Sequence, residues 1–131
     1  MYLTAGVLDD CKRMKLATAE STNKGTYFIA EALSIFTWQI MTDVWGDIPY
    51  FEALKADEGI ISPKFDEGRL IYADLLERVN ELLKTDLDGS LVDGKYDLIY
   101  AGDLNYWKAF ANSLILKLAL EPRCSFSPLT A

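Results

Sequence analysis

The first residues whose spacing could do chemistry are the acids of one short stretch. In "TDVWGDIPYFE", residues 42–52, Asp43 and Asp47 stand four positions apart and Glu52 follows. On an unbroken helix, carboxylates at i and i+4 share a face, where they could bind calcium or divide the roles of acid and base. Gly46 lies between them and Pro49 beside them, and both residue types break helices. Asp43 and Asp47 are therefore expected to cap turns and accept hydrogen bonds from nearby amides. The segment "DLDGSLVDGKYD" at 86–97 has the aspartates of a calcium loop without the alternation of oxygen ligands, and no Glu closes it. A solvated loop is expected there.

Histidine is absent from the 131 residues. That removes the usual general base, the commonest metal ligand and every triad built on imidazole. No glycine-rich phosphate loop is present, and Ser62, Ser90 and Ser113 have no base to activate them. Two carboxylates could still hydrolyse a glycoside, but nothing sets any of the 20 acids apart. No catalytic residue, metal site or cofactor is expected.

The aromatics remain. Trp and Tyr faces stack on the C–H faces of sugars, and Trp45, Tyr50, Tyr96, Tyr100 and Tyr106 all lie in or beside loops. Trp45, Tyr50 and Tyr100 are the candidate glycan contacts. The competing use of Trp45 and Tyr50 is to pin a corner to the core, and packing is the expected one. Trp38, Trp107 and Phe110 fall within helical patterns and read as core.

Composition narrows the partners. The chain carries 20 acids against 13 bases, a net charge of −7, with no run of Lys or Arg. A row of phosphates or an anionic lipid surface is a poor match, so no nucleic acid partner is expected. Cys11 and Cys124 are expected to be separate, buried free thiols. No apolar run approaches the roughly 18 residues of a membrane span. "MYLTAGVLDDCKRM" lacks the basic and apolar regions of a signal peptide.

Helices must position these residues. Ile29, Leu33, Phe36, Ile40 and Val44 form an apolar stripe over 26–45, stopped by Gly46 and Pro49. A second helix runs over 67–84, with Asp66 as its cap and Phe65 with Leu70 as a hydrophobic staple. A third begins at Asp103 and reaches about 120, and a weaker one covers 4–20 with Val7, Leu8, Cys11 and Met14 on one face. The connections 46–65 and 85–102 are long. No segment alternates cleanly enough for a strand. The fold is all-α: antiparallel helices with tetratricopeptide-like pairing, forming one helical domain over 1–120. An irregular tail covers 121–131, where Pro122 is expected to stop the last helix.

Three segments now share a pattern: "MTDVWGDIPYFEAL" at 41–54, "PKFDEGRLIYADLLERVNELL" at 63–83 and "DLIYAGDLNYWKAFANSLILKLAL" at 97–120. In order and spacing, positions 43–54, 63–76 and 97–119 resemble the SusD/RagB family of Bacteroidota outer-membrane glycan-binding lipoproteins. The resemblance implies a helical scaffold with tetratricopeptide-like pairs and no catalysis. It implies capture of an oligosaccharide or polysaccharide at the cell surface, at the outer membrane, together with a SusC-like TonB-dependent transporter. Family members are several times longer, so the chain is expected to be an N-terminal portion. The alternative is a helical-repeat module that binds protein and no sugar. Its mark would be a large exposed apolar patch and self-association.

Overall fold

The computed structural model of the chain describes residues 3–19 and 23–125, with side chains over 6–19 and 23–120. Four helices follow one another: α1 (Asp9–Ala19), α2 (Lys24–Trp45), α3 (Gly68–Leu83) and α4 (Leu104–Ser125), with no strand among the described residues. A π-helical stretch, Leu3–Leu8, runs directly into α1. Side-chain pairs give the directions. Glu31 meets Arg78 while Asp43 meets Tyr72, so α2 and α3 are antiparallel. Gly25 lies against Leu104 and Phe36 against Phe110, so α4 runs with α2. Helix α1 packs along α2, where Lys15 meets Glu31. The all-α expectation holds, as two helical hairpins.

Helix α2 lies at the centre and touches α1, α3 and α4. Its first turn is capped by Asn23, whose Oδ1 accepts from the Thr26 amide at 3.3 Å. The expected single stripe is corrected here. Ile29 is buried, but Leu33, Phe36 and Ile40 are half-buried and Val44 is exposed. The core is built instead from Phe28, Ala32, Ile35, Trp38 and Met41. A one-sided stripe suits a helix with one neighbour, whereas three neighbours bury most of the circumference. Gly46 then takes φ +73 and donates its amide to the Thr42 carbonyl at 2.8 Å, ending the helix as expected.

Helix α3 buries Ile71, Leu75, Val79 and Leu82 at helical spacing. Its start corrects two expectations. Phe65 is 73% exposed and Leu70 is exposed too, so no hydrophobic staple forms. Glu67 occupies the cap position, but its side chain accepts from no amide of the first turn. The first free amide, that of Gly68, is satisfied by Asp47 Oδ1 at 2.9 Å, from 21 residues upstream.

Helix α4 begins after Asp103, whose Oδ1 accepts from the Asn105 amide at 2.9 Å. It buries Trp107, Ala111, Leu114 and Leu118. The helix continues past Pro122 to Ser125, where the sequence led us to expect a stop. Proline removes one intrahelical bond, the one its amide would donate to Leu118, and the helical backbone carries through that gap. Residues 126–131 and the Cys124 side chain lie outside the described residues. Cys11 is a buried free thiol. No described helix is long and apolar enough to cross a membrane.

Candidate functional site

The corner after α2 is organised by two aspartates with nonlocal partners. The Asp66 amide donates to the Ile48 carbonyl at 2.9 Å, a single antiparallel bridge. Asp66 itself is buried, and its Oδ2 accepts from the amides of Tyr50 at 3.0 Å and Phe51 at 2.9 Å. Asp47 reaches the start of α3, as above. Asp43 stays on α2 and accepts from Gln39 Nε2 at 3.2 Å and from the Tyr72 hydroxyl. Glu52 Oε2 accepts from the Lys64 amide at 3.0 Å. Gly46 thus separates the i, i+4 pair: Asp47 serves a helix end and Glu52 a loop amide, whereas Asp43, expected to cap a turn, ties the Gln39 and Tyr72 side chains together on the face between α2 and α3.

Tyr50 is only 8% exposed. Its ring stands edge-on to Trp38 at 4.9 Å and to Phe51 at 4.8 Å. The hydroxyl donates to Asp74 Oδ2 and accepts from Arg78 Nη1 at 2.8 Å. Burial drives this phenol well above its ordinary pKa, so it stays protonated. Trp45 behaves oppositely. It was expected to pack, yet it is 56% exposed, because Gly46 turns the chain away directly after it. Its ring borders an apolar hollow of about 630 Å³ with Met41, Ile48, Pro49, Ile60 and Ile61.

A buried ion cluster underlies Tyr50. Glu31 accepts from Arg78 Nε at 2.7 Å on Oε1 and from Lys15 Nζ at 2.6 Å on Oε2. Arg78 Nη2 also reaches Ser34 Oγ at 3.3 Å. Burial pushes the Glu31 carboxyl up, but Arg78 and Lys15 outweigh it and hold the group below its usual value. Sequence reasoning missed this cluster. The available signal was a charged residue inside each apolar pattern: Glu31 between two alanines, and Arg78 beside Val79.

The corner before α4 is organised by Asp97. Its Oδ1 accepts from the amides of Ile99 at 3.0 Å and Tyr100 at 3.1 Å. Its Oδ2 accepts from Gly102 at 2.9 Å and from the Trp107 indole Nε1 at 2.7 Å. Burial raises the Asp97 carboxyl, but the indole and the three amides outweigh that and hold it below its ordinary range. Gly102 sits at φ +81, and a Cβ there would stand 2.4 Å from the Val92 carbonyl oxygen. The Tyr100 ring is half-buried, stacked on Tyr106 with centroids 5.6 Å apart and edge-on to Trp107 at 5.0 Å. Tyr96 is 79% and Tyr106 60% exposed. Tyr96, Leu98 and Ile99 border a hollow of about 670 Å³ that reaches Asn23 and Thr26.

The three expected contacts are therefore not brought together. Tyr50 lies inside the fold. Tyr100 belongs to a group of three tyrosines near the N-terminal end of α2, where Gly25 abuts Val92 and Leu104. Trp45 is the last residue of that helix, and 20 residues at about 1.5 Å each separate the two ends by roughly 30 Å. They form two surfaces.

Comparison with known proteins decides the family. A model described as "Starch-binding associating with outer membrane", SusD-like, matches residues 1–125. The chain belongs to the SusD-like family. Among solved structures, a chitin-binding protein superposes with a TM-score of 0.79 at 27% identity, over 94% of this chain and 26% of its own. A SusD homologue from Bacteroides uniformis superposes with a TM-score of 0.79 at 23% identity, over 92% of this chain and 25% of its own. This SusD-like chain thus spans about a quarter of the length of those solved relatives. No curated protein matches it.

Proposed function

We propose that this SusD-like chain is part of a non-catalytic glycan-binding protein of the outer-membrane surface, acting with a SusC-like TonB-dependent transporter. Within the chain, the saccharide contact is the tyrosine group of the 93–107 corner, with Tyr100 braced from behind by Trp107 and Tyr106 stacked on it. Exposed rings held in fixed orientation stack on the C–H faces of a pyranose at little entropic cost, since the protein has already ordered them. Asp93 and Asn105 flank the corner with groups that pair with hydroxyls. Trp45 is a second, separate contact.

The observation that carries this reading is the exposed Tyr106 ring stacked on the half-buried Tyr100, on a scaffold matched to a starch-binding family along residues 1–125. The "chitin-binding" label of one structural relative supports a saccharide ligand. The test is a glycan array followed by calorimetric titration of a full-length parent protein. Binding of a defined oligosaccharide and copurification with a TonB-dependent transporter are expected. A parent that binds no oligosaccharide and copurifies with no transporter would sink the reading. The helical-repeat alternative is favoured by the nearly complete exposure of Leu98 and Ile61. It predicts self-association of the 131-residue chain in sedimentation velocity, without any saccharide dependence.

A further inference from the structure

A third hollow lies between α1, α2 and the 50–58 segment, with a volume of about 350 Å³. Trp38 and Phe51 supply aromatic wall, and the Arg78–Glu31 pair closes one side. Its charge is unlike that of the rest of the chain. Lys12, Lys15, Lys55 and Arg78 face it against only Glu31 and Glu58, on a molecule whose net charge is −7. Across the Arg78–Glu31 wall the sign reverses, where Asp74, Glu77 and Glu81 line a neighbouring hollow.

Most of these cations are already held. Lys15 and Arg78 are bound to Glu31, and Lys12 reaches the Leu54 carbonyl and, at 3.0 Å, Asp57. Lys55 is different: among the described residues its ammonium has no ion-pair partner, and the Tyr27 hydroxyl has no hydrogen-bond partner; both residues line this hollow, Lys55 where it adjoins the apolar one beside Trp45 and Tyr27 where it adjoins the acidic one. Two unmatched donors therefore border a half-apolar recess that already has a cationic excess. A neutral ligand would leave that excess uncompensated, whereas a compact oxyanion would accept from Lys55 and Tyr27 in charge-assisted bonds.

We propose that this hollow binds the acidic group of a saccharide, a uronate carboxylate or a sulfate ester, with Lys55 and Tyr27 as donors and Phe51 against the ring. Its size is near the lower end of small-molecule sites, roughly 300–1,000 Å³, so it takes one acidic sugar unit rather than a run of them. The proposal rests on the glycan reading for the sugar, while the oxyanion preference rests on the charges of the hollow alone.

The test titrates the 131-residue chain with digalacturonate, a sulfated disaccharide, maltose and inorganic sulfate, following amide shifts by NMR. Lys55→Gln and Tyr27→Phe are compared with the parent, and melting curves verify that both fold. The expected result is that at least one acidic disaccharide shifts amides around Lys55, more weakly as salt rises. Its affinity should fall roughly tenfold in Lys55→Gln and less in Tyr27→Phe, and maltose should leave the hollow undisturbed. A response confined to one acidic disaccharide distinguishes the carboxylate from the sulfate. Lys55-dependent binding of inorganic sulfate as tight as that of both disaccharides would support the oxyanion preference and count against the glycan reading. If no acidic ligand perturbs the hollow, or Lys55→Gln changes nothing, the proposal is overturned. Saccharide binding at Tyr100 and Tyr106 would then stand or fall separately.

Discussion

The corners at 46–66 and 93–107 are built on the same device and put it to different uses. In each, a buried or half-buried aspartate accepts from the amides of a tyrosine-bearing turn: Asp66 from Tyr50 and Phe51, Asp97 from Ile99, Tyr100 and Gly102. At the first corner Arg78 and Asp74 hold the tyrosine hydroxyl, and the ring becomes core. At the second, Asp97 also takes the Trp107 indole, which places tryptophan in the core and leaves Tyr96 and Tyr106 outside. Which aromatic is buried depends on where the nonlocal polar partner lies, not on the turn itself.

The largest effect expected on this contrast is at Arg78. Arg78→Ala leaves Glu31 buried with Lys15 alone and removes a partner from the Tyr50 hydroxyl. Breaking a buried pair in this way costs about 3–5 kcal/mol, measurable by urea unfolding. The 93–107 corner should be untouched in the folded fraction, with amide exchange at Tyr100 and Gly102 unchanged.

Glycine substitution separates the corners next. At Gly102 an added methyl meets the Val92 carbonyl, whereas at Gly46 it meets nothing within 4 Å and only the positive φ resists it. Gly102→Ala is expected to destabilise by about 3 kcal/mol or more, and Gly46→Ala by about 1 kcal/mol. Equal costs would mean that the second corner yields more easily than its packing implies.

Acid should also act on the second corner. The Asp97 carboxyl lies below its ordinary 3.8 in the folded chain. A depressed carboxylate stabilises fully above its unfolded pKa, and that stability is lost as pH falls through the folded value. The 93–107 corner should therefore loosen below about pH 4. Asp97→Asn should be less stable at pH 7 and should show a flatter decline between about pH 5 and pH 3, read from melting curves across that range.

Much of the architecture was legible from residue pattern. Helical spacing, Gly46 with Pro49, and Asp103 with its glycine neighbour located the long helices to within a few residues. Partners distant in sequence were not legible. Asp66 stands where a local cap should stand, yet its carboxylate is taken by amides 15 and 16 residues upstream, and Asp47 caps the helix in its place. Trp45 ends an apolar helix and reads as core, yet the turn at Gly46 leaves it outside. Glu31 and Arg78 are ordinary surface residue types, and only the packing of α2 against α1 and α3 makes them a buried pair. Tyr100 and Tyr106 were visible as loop aromatics, but their stacking depends on the Asp97 turn.

The most direct measurement compares Tyr106→Ala, Trp45→Ala and the parent chain in calorimetric titration with a maltooligosaccharide and a chitin oligosaccharide, with unfolding followed in parallel. Both side chains are more than half exposed, so each variant should lie within about 0.5 kcal/mol of the parent in stability. Tyr106→Ala should lower affinity for the bound glycan roughly tenfold, as loss of an exposed aromatic anchor does, and Trp45→Ala should lower it less. Unchanged affinity in Tyr106→Ala, or a larger loss in Trp45→Ala, would contradict the assignment of the saccharide to the 93–107 corner.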